Sequence, residues 1–317
     1  MILISGPTAI GKTEVGIRVC QMLDKAEIIS VDSRQIYRYM DVGTAKPSLE
    51  ECQGITHHFL DCLFPTQSIN AGEFARRAWI IINELTVRGV TPVLVGGSGL
   101  YWQAIIDGLY EEKSHHYRHR DKLKKRLKQF GIKSLYLELQ KVDPVGSERV
   151  SERDSQRILR ALEVFYDNGI SLSQKWLKNE KNRSQPLGRG LMIAIQRPRP
   201  VLYGRINTRV DRMVKLGLVD EVKKLLCMYE NIQIPPIDTI GYREIISYLN
   251  GRTDLNSTIE QVKQNTRRFA KRQLTLLSKD RRFRNLDIET NGIEDCASRI
   301  VEHYKRLDTR KSFDSIW

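Results

Sequence analysis

Eight residues near the start of the chain carry the clearest chemical signal. Gly6-Pro7-Thr8-Ala9-Ile10-Gly11-Lys12-Thr13 fits the pattern G-x-x-x-x-G-K-[ST]. The apolar run Ile2-Leu3-Ile4-Ser5 precedes it and a helical stretch, 14–23, follows it, which is the strand–loop–helix context of a phosphate-binding loop. The glycines let the backbone curl so that successive N–H groups face anionic oxygens. The helix N-terminus adds partial positive charge there. Lys12 is suited to neutralise phosphate charge and the Thr13 hydroxyl to hold a magnesium ion (Mg2+). The loop is expected to bind a diphosphate or a nucleotide. Two further residues stand where strand-like runs end: Asp32 after 27–31, and Ser98 after 92–95. A carboxylate at Asp32 could act as a general base, or could cap its own turn. Ser98 could likewise cap the helix that follows it.

The elements that must position these groups follow from the pattern. Short apolar runs alternate with helical stretches, which predicts an α/β fold with a parallel sheet covered by helices, of the P-loop NTPase-like kind. Ligands of such sheets gather at the carboxyl ends of the strands, so the loop, Asp32 and Ser98 should share one crevice. Composition then divides the chain. Residues 1–112 read as the first part of the core. From 113 the pattern turns helical and basic, with eight Lys/Arg against Asp121 alone in 113–128. This reads as a helical insertion, 113–185, with 173–190 as a polar return linker. The strand-like run 191–195 rejoins the sheet, and 186–317 completes the core with long helices at 202–226 and 258–277. Nine Lys/Arg against Asp280 fall in 263–284. Residues after about 286 read as polar and without signal.

Bulk properties narrow the class. With 52 Lys+Arg against 38 Asp+Glu, the 317-residue chain carries a formal charge of +14, which favours an anionic polymer as partner. No run approaches the roughly 20 apolar residues of a membrane span. The N-terminus enters the first strand directly, so no signal peptide is expected. The five cysteines are scattered without a C-x-x-C pair, in keeping with free thiols in the cytoplasm. His57-His58 has no third ligand at a useful spacing and reads as structural, and His115, His116 and His119 read as a solvated or RNA-facing surface. Trp79, Trp102 and Trp176 read as core packing rather than base stacking.

Asp32-Ser33-Arg34-Gln35 with Tyr37, then Asp41-Val42-Gly43-Thr44-Ala45-Lys46-Pro47, resembles the second motif of the tRNA dimethylallyltransferases, also called tRNA isopentenyltransferases. Further stretches resemble that family in its order: Gly54-Ile55-Thr56-His57-His58, Gly96-Gly97-Ser98-Gly99-Leu100-Tyr101, Gln156-Arg157-Ile158-Leu159-Arg160, 205–213, Gly241-Tyr242-Arg243-Glu244 and 266–275. The resemblance covers residues 2 to about 277. Departures are Ser98 for a usual threonine, Ile10 for a serine, Ser151-Glu152-Arg153-Asp154 for His-Pro-Asn-Asp, and Leu276 for a tryptophan.

The resemblance implies transfer of a dimethylallyl group from dimethylallyl diphosphate to N6 of the adenosine 3′ of the anticodon (position 37), by a monomer. It implies Asp32, Ser98, Lys12 and Arg209 as catalytic residues, and residues 6–13 as the diphosphate site. It further implies tRNA contacts at Asp32, Ser33, Arg34, Gln35, Ser98, Arg120, Gln156, Arg157, Ile158, Leu159, Arg160, Gly241, Tyr242, Arg243, Lys271, Arg272 and Gln273, which would seat the anticodon stem-loop. The competing readings are a free-nucleotide (adenylate) isopentenyltransferase, a P-loop small-molecule kinase, and an RNA-binding protein without catalysis. The first two predict a chain lacking the basic insertion.

Overall fold

The computed structural model describes residues 1–108, 119–181, 190–230, 232 and 234–314. Two compact units emerge: Met1–Ile106 with Leu187–Trp317, and Asp107–Pro186.

The first unit is built on a six-stranded parallel sheet: β1 (Ile2–Ser5), β2 (Ala26–Val31), β3 (His57–His58), β4 (Thr91–Gly96), β5 (Leu191–Gln196) and β6 (Arg284–Asp287). The spatial order is β3-β2-β4-β1-β5-β6. The inner strands β1, β4 and β5 are apolar almost throughout because helices cover both faces of the sheet. Register aligns Ser5 with Gly96 and Gly96 with Val31, so three strands end at one level. Every loop leaving that level therefore starts from the same edge. Helix α1 (Lys12–Gln21) packs on the sheet, and its Gly16 permits the approach: a Cβ there would stand 2.6 Å from Val95. Helix α2 is Ala71–Val87 and α3 is Gly99–Asp107.

The second unit contains α4 (Arg120–Val142, broken at Gly131, φ 74), α5 (Pro144–Glu148), α6 (Ser155–Asn168) and α7 (Leu172–Lys181). Leu123, Leu135, Leu139, Val150, Ile158, Ala161 and Leu162 form its separate core. Helix α7 overturns the expectation of a linker at 173–190. Its polar composition hid a helix whose Ser173 and Lys175 are buried. The 182–189 part of that stretch, and the basic residues 113–118, lie outside the described residues.

Back in the first unit, α8 (Arg199–Lys215) and α9 (Leu218–Met228) replace the single helix expected at 202–226. The break is at Gly217, whose φ of 93 lies in the left-handed region that glycine tolerates. Helices α10 (Tyr242–Leu249) and α11 (Leu255–Leu277) follow. The chain end is structured, against the expectation of a polar stretch without signal after about 286. Residues 284–287 form edge strand β6, and α12 (Ile288–Asp314) returns over the core, with Cys296, Ala297, Ile300 and Val301 buried in the same cluster as Ile17 and Cys20. Ala297, Ile300, Val301 and Tyr304 follow helical spacing, a stripe too narrow to stand out among polar neighbours.

Candidate functional site

A cleft opens where β1, β2 and β4 end, and Thr8, Lys12, Thr13, Asp32, Thr44 and Arg209 are among its lining residues. Each arrives by a different route. The loop turns back through Ala9 (φ 61) and Gly11 (φ 105) to start α1 at Lys12. Lys12 Nζ donates to the Pro7 carbonyl at 3.3 Å, so it lies along its own loop. Burial pulls its pKa down to about 8, with nearby Arg209 adding to the effect and Asp32 opposing it. Thr13 presents a hard oxygen donor one residue on, which suits a magnesium ion that also takes oxygens from a diphosphate.

Asp32 divides its labour. Oδ1 accepts from Arg34 N at 2.8 Å and Gln35 N at 3.4 Å. Among the described residues Oδ2 takes no hydrogen bond. Both readings of this residue thus coexist: one oxygen caps the turn and the carboxylate still lines the cleft. Arg209, on α8, donates to Thr8 Oγ1 at 3.2 Å and to the Thr44 carbonyl at 3.3 Å. Burial lowers its pKa, and Asp32 acts against that shift. One turn earlier, Arg205 Nε holds the Ala9 carbonyl at 3.0 Å. Ser98 Oγ accepts from Ser33 N at 3.0 Å, which fixes it to the turn after Asp32; the residue is not among those lining the cleft. Its hydroxyl hydrogen remains available to donate.

Residue types and distances together describe an anion grip with a carboxylate beside it. The model of the IPP transferase family matches residues 35–280. The chain belongs to the IPP transferase family. It is 40% identical over 302 residues to the tRNA dimethylallyltransferase of Carboxydothermus hydrogenoformans, covering 95% of this chain and 96% of that protein. It is likewise 40% identical over 277 residues to the tRNA dimethylallyltransferase of Bacillus velezensis, covering 87% and 86%. The tRNA delta(2)-isopentenylpyrophosphate transferase structure from Staphylococcus epidermidis superposes with a TM-score of 0.69 at 33% identity, covering 96% of this chain and 98% of that one. A eukaryotic dimethylallyltransferase structure reaches a TM-score of 0.79 at 24% identity, covering 98% and 79%, and shares the fold.

Several residues that the resemblance to this IPP transferase family assigned to RNA are spent inside the protein. Gln273 is buried; its Oε1 accepts from Thr8 N at 2.9 Å and its Nε2 donates to the Gly97 carbonyl at 2.8 Å. It clamps the phosphate loop to the Ser98 turn. Tyr242 is wholly buried against Gly43, where a Cβ would lie 2.4 Å from its ring, and its hydroxyl donates to Glu221 at 2.6 Å. Ile158 sits in the core of the helical unit, and its backbone N–H is used by Asp154. Gln35 stabilises the cleft wall, its Nε2 donating to the Thr44 and Ala45 carbonyls at 3.4 and 3.1 Å.

Other assigned residues keep outward faces. Gln156, Arg157, Lys271 and Arg272 are exposed, Ser33, Arg34, Leu159 and Arg160 are half-buried, and Gly241 (φ 97) opens α10. Arg120 and Arg160 both reach the buried Glu163, each at 3.4 Å. Arg243 pairs with Asp238 and Glu244. The basic run 263–284 is not uniformly a phosphate surface. Lys263 is paired with Asp211 and Glu260, and Arg267 donates to Asn207 at 2.6 Å, so both tie α11 down.

Glu221 is a structural residue of the site that no sequence motif marks. From α9 its carboxylate accepts the backbone N–H groups of Asp41, Val42 and Gly43 at 2.8, 2.7 and 2.9 Å. Three successive N–H groups around one anion form a nest, and here the nest fixes the loop whose Thr44 carbonyl orients Arg209. A lone glutamate on an amphipathic helix gives no such signal in sequence. His57 and His58 have ordinary partners: His57 Nδ1 meets the Ile55 carbonyl at 2.9 Å and His58 Nε2 meets Glu27 at 2.7 Å.

Proposed function

We propose that this IPP transferase family member is a tRNA dimethylallyltransferase that moves a dimethylallyl group from dimethylallyl diphosphate to N6 of adenosine 37 in the tRNA anticodon loop. The observation that carries the reading is the convergence of Lys12, Asp32 and Arg209 on one cleft behind the phosphate loop. The curated relatives across nearly the whole chain support it.

The adenine amine is a weak nucleophile because its lone pair is delocalised into the ring. As N6 bonds to C1 of the allylic chain, the C1–O bond breaks and the diphosphate leaves. Asp32 accepts the N6 proton, and its oxygen not used in capping is the one free to do so. Charge accumulates on the leaving oxygens, where the loop N–H groups, Lys12 and Arg209 stand as fixed donors. A magnesium ion held at Thr13 would neutralise part of the diphosphate charge. Ser98, just after β4, holds the Ser33 N–H beside Asp32 and keeps its hydroxyl hydrogen to offer to the leaving group. Exposed Gln156, Arg157, Lys271 and Arg272 supply polar and cationic groups for the RNA. The protein is read as a cytoplasmic monomer.

Incubation with labelled dimethylallyl diphosphate and either tRNA or AMP is the test. Label is expected in tRNA at the adenosine 3′ of the anticodon, with none in AMP. Transfer to AMP alone would convert the reading to a free-nucleotide isopentenyltransferase.

A further inference from the structure

Tyr39 is out of place twice. Its φ of 65 lies in the left-handed region that a Cβ disfavours, and the residue is 45% exposed, so burial of the side chain does not explain the conformation. Phe64, 40% exposed, lies beside it with ring centroids 6.4 Å apart. The Arg38 guanidinium carbon sits 4.6 Å from the Phe64 centroid. These three groups form a surface of two aromatic rings and one guanidinium plane.

The surface is held firmly from below. Arg38 N donates to the Leu63 carbonyl at 2.8 Å, Leu63 N to the Ile36 carbonyl at 3.0 Å, and Arg38 Nε to the Asp61 carbonyl at 2.8 Å. Lys46 Nζ, nearly buried, joins the Tyr37 carbonyl, Asp41 and Asp61 at 2.7, 2.6 and 2.5 Å. The chain is thus pinned on both sides of Tyr39, a setting in which local backbone strain can persist. The segment that carries Tyr39 also carries Asp32 and Gln35 before it and the cleft residues Thr44 and Ala45 after it.

Exposed aromatic faces with an adjoining guanidinium are the chemistry that receives unstacked nucleobases, because every base has a π-face to offer. We propose that Tyr39, Phe64 and Arg38 form a stacking subsite for an unpaired base of the RNA substrate other than the alkylated adenine. The inference rests on the tRNA reading above. It adds that the core unit itself holds a second base of the RNA.

The test uses the full-length protein and an anticodon stem-loop RNA carrying 2-aminopurine at successive loop positions. Wild type is expected to quench the probe at one position, and Y39G and F64A to abolish that quenching. Both should raise the KM for RNA about tenfold, within the range that loss of one base–aromatic stack produces, and leave the KM for dimethylallyl diphosphate in place. Y39F, which keeps the ring, should restore the wild-type values. Y39G should also melt at a higher temperature than wild type, since glycine relieves the strain. Unchanged RNA KM and quenching in both Y39G and F64A would overturn the subsite, as would equal rises in both KM values with a lowered melting temperature. Wild-type protein that alkylates no RNA would defeat the functional reading instead. Probe quenching by bound RNA would still decide the stacking subsite.

Discussion

At the scale of single residues, the cleft changes what its side chains are. Lys12 is pulled down to about 8 by burial, with Asp32 and Arg209 facing it. Below that pH the ammonium is present in the free protein; above it the cleft loses a positive charge that a diphosphate requires. Donor kcat/KM is therefore expected to fall about tenfold per pH unit above roughly pH 8, and kcat at saturating donor to hold further into the alkaline range, because the bound anion keeps Lys12 protonated. Lys12→Arg should carry this limb out of range, since a guanidinium does not titrate there. A limb unmoved in that variant would assign it to another group. Asp32 shows the complementary case, a carboxylate whose capping bond to Arg34 N orients it without consuming its second oxygen.

At the scale of elements, the cleft depends on helices that never touch the reacting atoms. Glu221 on α9 and Tyr242 on α10 hold the 41–43 turn, and Gln273 on α11 ties Thr8 to Gly97. Glu221→Ala strips the acceptor from three N–H groups and lets the Thr44 carbonyl drift from Arg209. Donor kcat/KM is expected to drop about tenfold or more, as small misplacements of a positioning group do, while Glu221→Gln recovers part of it. Steady-state kinetics with a circular-dichroism check of folding decides this; wild-type kinetics in Glu221→Ala would remove Glu221 from the account. The same elements mark where sequence reading stopped. The loop 6–13 and the strand ends at Asp32 and Ser98 were legible because glycine spacing and apolar runs are local patterns. Glu221, Gln273 and Tyr242 act through partners 21 to 265 positions away in sequence, and no local pattern reports such pairing. Helix α12 escapes local pattern for a related reason: its apolar stripe makes sense only against α1 and the sheet.

At the scale of the whole molecule, an excess of 14 positive charges is divided between groups that hold the fold and groups on exposed faces. Lys263, Arg267 and Arg120 are tied to neighbours, Arg157 pairs with Asp154 on an exposed face, and Lys271 and Arg272 lie on the exposed face of α11. RNA affinity should consequently fall steeply with salt, by about a thousandfold between about 50 and about 200 mM if some six phosphates are engaged. Filter binding across a salt series measures it, and a flat dependence would mean that the exposed basic faces do not meet the RNA backbone. The central claim is narrower: one cleft grips the diphosphate while Asp32 takes the proton from the attacking amine. Asp32→Asn tests it most directly, because the amide oxygen keeps the cap on Arg34 N and only the base is lost. Single-turnover transfer from labelled dimethylallyl diphosphate to tRNA should slow by about a hundredfold or more, with donor and tRNA affinities retained. Transfer at the wild-type rate by the purified variant would contradict it.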